Sequence, residues 1–210
     1  MKTIILDLET KPNEKLISLF TSKIKAPKTY KDPEKIVSYI EEKKQELVKS
    51  MSVDVDFCEI KCIGIKEDEA PARVITLKEL IKLFSEHIKV KSETTSEFEQ
   101  RVVKFRLVTF NGKKFDLPVI IREAIRQQLD APFKELKAWT KRFQILNHID
   151  LMELINDTDY KSLDLYSQIY LGESKEEIDF SNCTDDELKK HCLSDVEMTA
   201  RLYDLFKKLI

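Results

Sequence analysis

Glycine is nearly missing from this chain, with three in 210 residues, at 64, 112 and 172. A phosphate-cradling loop needs several glycines close together so that the backbone can approach the phosphate, and their absence excludes P-loop and dinucleotide-binding readings. There is no GxSxG elbow, which removes the strained serine turn of the α/β-hydrolases. The four cysteines, Cys58, Cys62, Cys183 and Cys192, form no CxxC pair and have no histidine at zinc-finger spacing, so they read as reduced core thiols. No apolar run approaches the length of a membrane span, and the N-terminal MKTIILDLET reaches acids too soon for a secretory signal. The expectation is a soluble, cytoplasmic protein with no membrane partner. Internal repeats are absent as well.

What is present is a charged, globular composition, 35% charged and 42% hydrophobic, long enough for one well-packed domain over 1–210. The net charge of −2 hides an asymmetry. Residues 101–150 carry 11 Lys and Arg against 5 Asp and Glu, and residues 151–210 carry 7 against 14. A basic middle suits a polyanion, and acids elsewhere suit cations.

The sharpest signal lies near the C-terminus. Leu188, Cys192, Asp195, Thr199, Leu202, Phe206 and Leu209 recur at alternating spacings of four and three, the inward stripe of an amphipathic helix. Thr184 and Glu187 make the capping box that starts it. Asp195 stands in the stripe where an apolar residue belongs, with His191 one turn earlier on nearly the same face. A carboxylate facing a core is costly unless it is paired, hydrogen-bonded or bound to metal. A salt bridge to a lysine at the stripe's edge would suffice for one such acid, but three more are placed as awkwardly.

Two of them open the chain. Residues 3–10, TIILDLET, read as a strand in which Ile5, Asp7 and Glu9 share one face and Ile4, Leu6 and Leu8 the other. Paired carboxylates at the end of an apolar strand suit a hard divalent cation. Residues 13–56 read as an insertion holding an amphipathic helix over 33–51, with Ile36, Ile40, Leu47 and Met51 on one face. Strands are expected over 57–66 and 73–76, joined as a hairpin, then a helix over 77–88 with Leu80, Ile81, Phe84 and Ile88 inward. A polar loop or helix tail should fill 89–100, and a central strand 105–110. Asn111-Gly-Lys-Lys-Phe-Asp116 follows it and runs into a helix. Asp116 suits the N-cap, and it also lies at the carboxyl end of a central strand, where open α/β sheets bind ligands.

Residues 131–148 interleave Lys134, Lys137, Lys141 and Arg142 with Phe133, Trp139 and Phe143. Such a mixture fits either single-stranded nucleic acid, with bases stacked on aromatics, or a helix with an aromatic core face. His148-Ile-Asp150 reads as a fifth strand, with Asp150 capping the short helix after it, and a helix over 162–171 should close at Gly172.

Taken together, Asp7-Leu-Glu9, Asn111-Gly-Lys-Lys-Phe-Asp116 and His191-Cys-Leu-Ser-Asp195 stand in the order of the three motifs of the DEDD exonucleases, which the chain resembles over nearly its whole length. It is most similar to free-standing exonucleases related to the proofreading domain of family-B DNA polymerases. DLETKP, PEKIVSYIEEKKQELVKSM, FNGKKFDLPVI, HIDLMELI and DVEMTARLY all look like that group. One position departs. His191 occupies the place usually held by Tyr at this four-residue spacing, which leaves two roles for it, general base or orienter of water.

The resemblance implies an α/β, ribonuclease H-like fold: a five-stranded mixed sheet with helices on both faces, the second strand antiparallel, and a helical insertion after the first strand. It implies 3′-to-5′ hydrolysis of single-stranded DNA with two divalent ions, Mg²⁺ or Mn²⁺. Asp7 would bridge the ions, Glu9 and Asp195 would hold the one carrying the nucleophilic water, and Asp116 would help the second. His191 would take the proton, a task suited to an ordinary pKa near roughly 6.5. Leu8, Asn111, Phe115 and, through the backbone after Glu9, Thr10 would position the 3′-terminal nucleotides. Lys113, Lys114, Lys141 and Arg142 are the phosphate candidates. A DNA polymerase or another replication or repair protein is the expected partner in trans. The competing readings are an inactive exonuclease-like binding module, against which all four acids argue, and an RNA 3′-end trimming nuclease.

Overall fold

The computed structural model describes residues 1–91, 100–142, 145–156, 158–176, 178–180 and 182–210. In chain order the elements are β1 (Lys2–Pro12), α1 (Ile17–Thr21), α2 (Pro33–Met51), β2 (Cys58–Glu67), β3 (Arg73–Val74), α3 (Leu77–His87), β4 (Ile88–Lys91), β5 (Gln100–Val103) and β6 (Phe105–Thr109). They continue with α4 (Asp116–Arg126), α5 (Phe133–Trp139), β7 (His148–Asp150), α6 (Leu151–Ile155), α7 (Leu163–Leu171) and α8 (Asp185–Phe206). The chain divides into two compact units, Met1–Glu9 with Cys62–Ile210, and Thr10–Lys61.

Five strands form one mixed sheet in the order β3-β2-β1-β6-β7. β1 runs parallel to β6, with Ile4 opposite Leu107 and Ile5 opposite Val108, and β6 runs parallel to β7. β2 is antiparallel to β3. Strand alternation divides the apolar residues between two faces. On one face Ile5, Val108 and Ile149 pack with Val196, Leu202 and Tyr203 of α8 and with Leu163 and Tyr166 of α7. On the other, Phe105 stacks on Phe84 of α3 with ring centroids 5.4 Å apart, and Trp139 of α5 stands edge-on to both. Helices therefore cover both faces, as the five-stranded mixed-sheet expectation required.

Helix α8 starts at the Thr184–Glu187 capping box, which satisfies two of its orphan N–H groups reciprocally. Leu188, Cys192, Asp195, Thr199 and Leu202 are all buried, as the stripe predicts. The stripe ends early: Phe206 is half-buried, and Leu209 is exposed in a terminal 3₁₀ turn. Gly64 of β2 lets α8 come close, because a Cβ there would sit 2.8 Å from Val196 and 2.9 Å from the Cys192 sulfur. Cys58, Cys62 and Cys192 are buried thiols and Cys183 is half-buried, all unpaired by disulfides.

Within Thr10–Lys61, α2 is N-capped by Asp32, whose side chain accepts from the Glu34 N–H at 3.0 Å, with Pro33 in the first turn. Met51 is buried and Ile36, Ile40 and Leu47 are half-buried, so the amphipathic face falls where the spacing puts it. Phe20 of α1 packs on Phe57, ring centroids 4.4 Å apart.

Three expectations are corrected. Ile88 leaves the helix to begin β4, which pairs antiparallel with β5 in a separate two-stranded sheet, so strands occupy both ends of the expected loop. Residues 92–99 lie outside the described residues. The aromatic segment is helical only over Phe133–Trp139, and the burial of Trp139 in the core favours the second of its two readings, a helix with an aromatic core face. Phe143 lies outside the described residues. Asp116 is the first residue of α4 and not its N-cap; that place belongs to Phe115, which makes no side-chain cap.

Candidate active site

Four carboxylates and one imidazole converge from the middle of β1, the start of α4 and the middle of α8. Asp7 and Glu9 share the face of β1 that carries Ile5, the face packed on α8, by the two-residue period of the strand. The Cys192 sulfur lies 3.8 Å from the Asp7 carbonyl oxygen, which fixes α8 against this part of the strand. Contact with Cys62 and burial hold the Cys192 thiol far above its ordinary pKa, so it stays protonated there.

One turn apart on α8, His191 and Asp195 project toward Glu9. The His191 Nε2 atom is 3.8 Å from Glu9 Oε1 and 3.9 Å from Asp195 Oδ2, and one ligand atom from each of the three residues falls within 4.8 Å of the others. All three side chains are buried. The Phe180 ring stands edge-on to the His191 ring at 5.4 Å. Burial, followed by the Lys175 charge, lowers the His191 pKa against the opposing pull of Asp195 and Glu176, and the neutral imidazole can take up a proton.

The acids disfavour one another's charge. Burial first, then Asp116, Asp195 and Glu9, push the Asp7 carboxyl well above its ordinary range. Burial and then Asp195 push Glu9 up to about 7. Asp116 is pushed up to about 8, chiefly by burial, against the opposing pull of the backbone at Asp116 itself and at Leu8. The nearness of Leu8 sets the start of α4 beside β1, so Asp116 lies inside the fold without serving as a cap. Asp195 Oδ2 is ion-paired with Lys175, but its Oδ1 is buried with no hydrogen-bond partner. Mutually repelling carboxylates with an orphaned oxygen fit a hard cation, which would offset the repulsion and take up the free lone pairs.

The segment between β6 and α4 is held by a residue whose capping role alone is legible in the sequence. Asp150 accepts from the Met152 N–H at 3.2 Å, as a cap should, and also from the N–H groups of Asn111 at 2.8 Å and Lys113 at 3.0 Å. Asn111 takes the left-handed conformation, φ 65, which asparagine tolerates better than most residues. Gly112 is required beside it, since a Cβ there would meet Thr109 Oγ1 at 2.2 Å. Phe115 and Asn111 are half-buried and Leu8 is buried. Thr10 belongs to the other unit, where its hydroxyl donates to the Ser52 carbonyl at 2.5 Å.

The four basic candidates separate. Lys113 is buried and its ammonium is paired with Glu153, so it faces inward and not toward a phosphate. Lys114, Lys141 and Arg142 are exposed. The Lys114 ammonium lies 4.1 Å from the Tyr160 ring centroid. Sequence reasoning missed Lys175, Tyr160 and Phe180, because all three come from irregular segments where no period marks a side chain as inward.

Residues 53–204 match the family described as a predicted 3′-5′ exonuclease related to the exonuclease domain of PolB. The match contains Asp116, His191 and Asp195, while Asp7 and Glu9 precede it. No curated protein matches the chain. Among solved structures, the family B DNA polymerase from the hyperthermophilic archaeon Pyrobaculum calidifontis is similar in fold, with a TM-score of 0.53 at 11% identity. The likeness covers 97% of this chain and 24% of the polymerase, so the chain spans about a quarter of that relative's length. The likeness is one of fold, and the five-stranded mixed sheet with helices on both faces is the ribonuclease H-like arrangement.

Proposed function

The chain belongs to the family of predicted 3′-5′ exonucleases related to the exonuclease domain of PolB, and on that premise we propose that it hydrolyses single-stranded DNA from the 3′ end with two divalent cations, Mg²⁺ or Mn²⁺. Asp7, Glu9, Asp116 and Asp195 would hold the cations. When bound, these lower the pKa of water and offset charge on the phosphodiester.

The chain's own residues carry the remaining steps. His191, kept neutral by burial, accepts the proton of the attacking water. Leu8, Asn111 and Phe115 position the terminal nucleotide. Lys114, Lys141 and Arg142 meet phosphates further along the strand. The chain acts on the 3′ end either alone or in trans to a DNA polymerase or another replication or repair protein.

The observation that supports this reading best is the orphaned Oδ1 of Asp195 beside Glu9 and His191. A satisfied core acid has no reason to leave a buried oxygen without a partner. The test uses 5′-labelled DNA and RNA single strands with Mg²⁺, Mn²⁺ or EDTA, resolved on a sequencing gel. A metal-dependent ladder shortening from the 3′ end of DNA is expected. A ladder on RNA alone would reassign the substrate, and intact strands in every metal would sink the hydrolase reading in favour of a binding module.

A further inference from the structure

Beside the 111–116 segment lies a cavity of about 540 Å³, bounded by Lys114, Thr140 and Arg142 on one side and by Met152, Thr158 and Tyr160 on the other. It is separate from the carboxylate cluster, and none of the proposed cation ligands lines it. The two acids at its floor already have partners. Asp150 accepts three backbone N–H groups, and Glu153 is paired with Lys113 and lies 3.7 Å from Arg142 Nε. Three cations in the lining, Lys113, Lys114 and Arg142, against two acids leave it with a net positive charge. Lys114 has an aromatic ring beneath its ammonium, and Arg142 keeps 56% of its side chain in solvent.

A cavity of this size takes one nucleotide, not a helix or a sheet edge. Its walls divide as a nucleotide does, with two cations and two hydroxyls for a phosphate and sugar, and the Tyr160 ring and the Met152 thioether for the apolar faces of a base. Its position also fits. Lys114 lies two residues before Asp116, which puts a residue of the cavity and one of the acids on the same short segment.

We propose that this cavity seats one upstream nucleotide of a single strand, with Tyr160 stacking on the base and Lys114 and Arg142 holding its phosphate. This rests on the exonuclease reading above and adds to it a length requirement. Strands too short to reach the cavity bind and are cut poorly, and the cation on Tyr160 yields its place to the base.

The test is binding of fluorescent DNA strands of two to eight nucleotides by anisotropy, with Ca²⁺ replacing Mg²⁺. Wild type, Tyr160→Ala, Tyr160→Phe and Lys114→Gln are compared after thermal melts show that each variant is folded. Affinity of the wild type should step up by about tenfold at one strand length, in the range of one base stacked on an aromatic ring. Tyr160→Ala and Lys114→Gln should lose the step, and Tyr160→Phe should keep it. A smooth climb with length, or Tyr160→Ala binding like wild type at every length, overturns the seat. Cleavage in Mg²⁺ or Mn²⁺ without a step leaves hydrolysis standing and removes the seat, and a step without cleavage does the reverse.

Discussion

Lys175 and Asp195 are joined by an ion pair across 20 residues of sequence, from the segment after α7 to the middle of α8, and the pair uses only one of the two Asp195 oxygens. Asp195 is buried, whereas the Lys175 side chain keeps 24% of its surface exposed. The lysine thus supplies positive charge beside acids whose repulsion would otherwise be unrelieved.

Lys175→Met should therefore destabilise the metal-free protein. Breaking a fully buried pair costs about 3–5 kcal/mol, and partial exposure of the lysine reduces this to about 2 kcal/mol. At this chain length that is a fall of about 5 °C in Tm. Mn²⁺ should close much of the gap, since a cation on Asp195 replaces the lost charge. Equal Tm values for both proteins in EDTA would show that the pair carries no stability.

Asp7→Asn tests the cluster from the other side. Its carboxyl is disfavoured by burial and by three neighbouring acids, so the neutral amide relieves repulsion in the metal-free state. The variant should melt no lower than wild type in EDTA, lose most of the Mn²⁺-dependent rise in Tm, and cut DNA at least about a thousandfold more slowly. Near-native cleavage by this variant would remove Asp7 from the metal site.

Much of this site was legible in the sequence because periodicity exposes misplaced polarity. Asp195 interrupts an apolar helical stripe and Asp7 follows a run of strand residues, and both are found where the pattern places them. Asp116 was located correctly for an incomplete reason. Capping propensity reads only local backbone, whereas the burial of Asp116 beside Asp7 and Leu8 brings together residues more than a hundred positions apart. The same limit hid Lys175 and Tyr160, whose partners are set by tertiary packing of irregular segments. The β4–β5 pair went unseen because each strand is only four residues long, and Ile88, which opens β4, also continues the apolar stripe of the helix before it.

Asp150→Ala removes one acceptor from three N–H groups at once, two of them on the segment leading to Asp116. Asn111, already in a left-handed conformation, should lose its fixed placement. The expected result is a loss of about 2–3 kcal/mol in stability together with a fall in kcat, because Asp150 holds the segment that carries Asn111 and leads to Asp116. Asp150→Asn keeps one acceptor oxygen, enough for Asn111 and Met152 but not for Lys113, and should recover part of both. A variant whose kcat matches wild type would show that the 111–113 segment is held by other means.

His148 gives the fold a pH dependence of calculable sign. Its Nδ1–H donates to the Trp139 carbonyl at 2.9 Å, and Nε2 faces the Thr109 hydroxyl at 2.8 Å, a neutral arrangement inside the core. Burial lowers its pKa from 6.5 to about 4. Above 6.5 neither the folded nor the unfolded chain holds a proton there. Between 6.5 and 4 the unfolded chain binds one that the folded chain refuses, so stability on this account falls with pH, by on the order of 3 kcal/mol over the window. The carboxylates of the active site shift in the opposite sense, and the useful quantity is therefore the difference between wild type and His148→Gln, which keeps a donor and an acceptor but cannot titrate. Urea unfolding of both proteins at several pH values from 7 to 4 should show the wild type losing its advantage progressively below pH 6.5. A difference that stays constant across that range would mean that the imidazole is charged in the folded core, contrary to its hydrogen bonds.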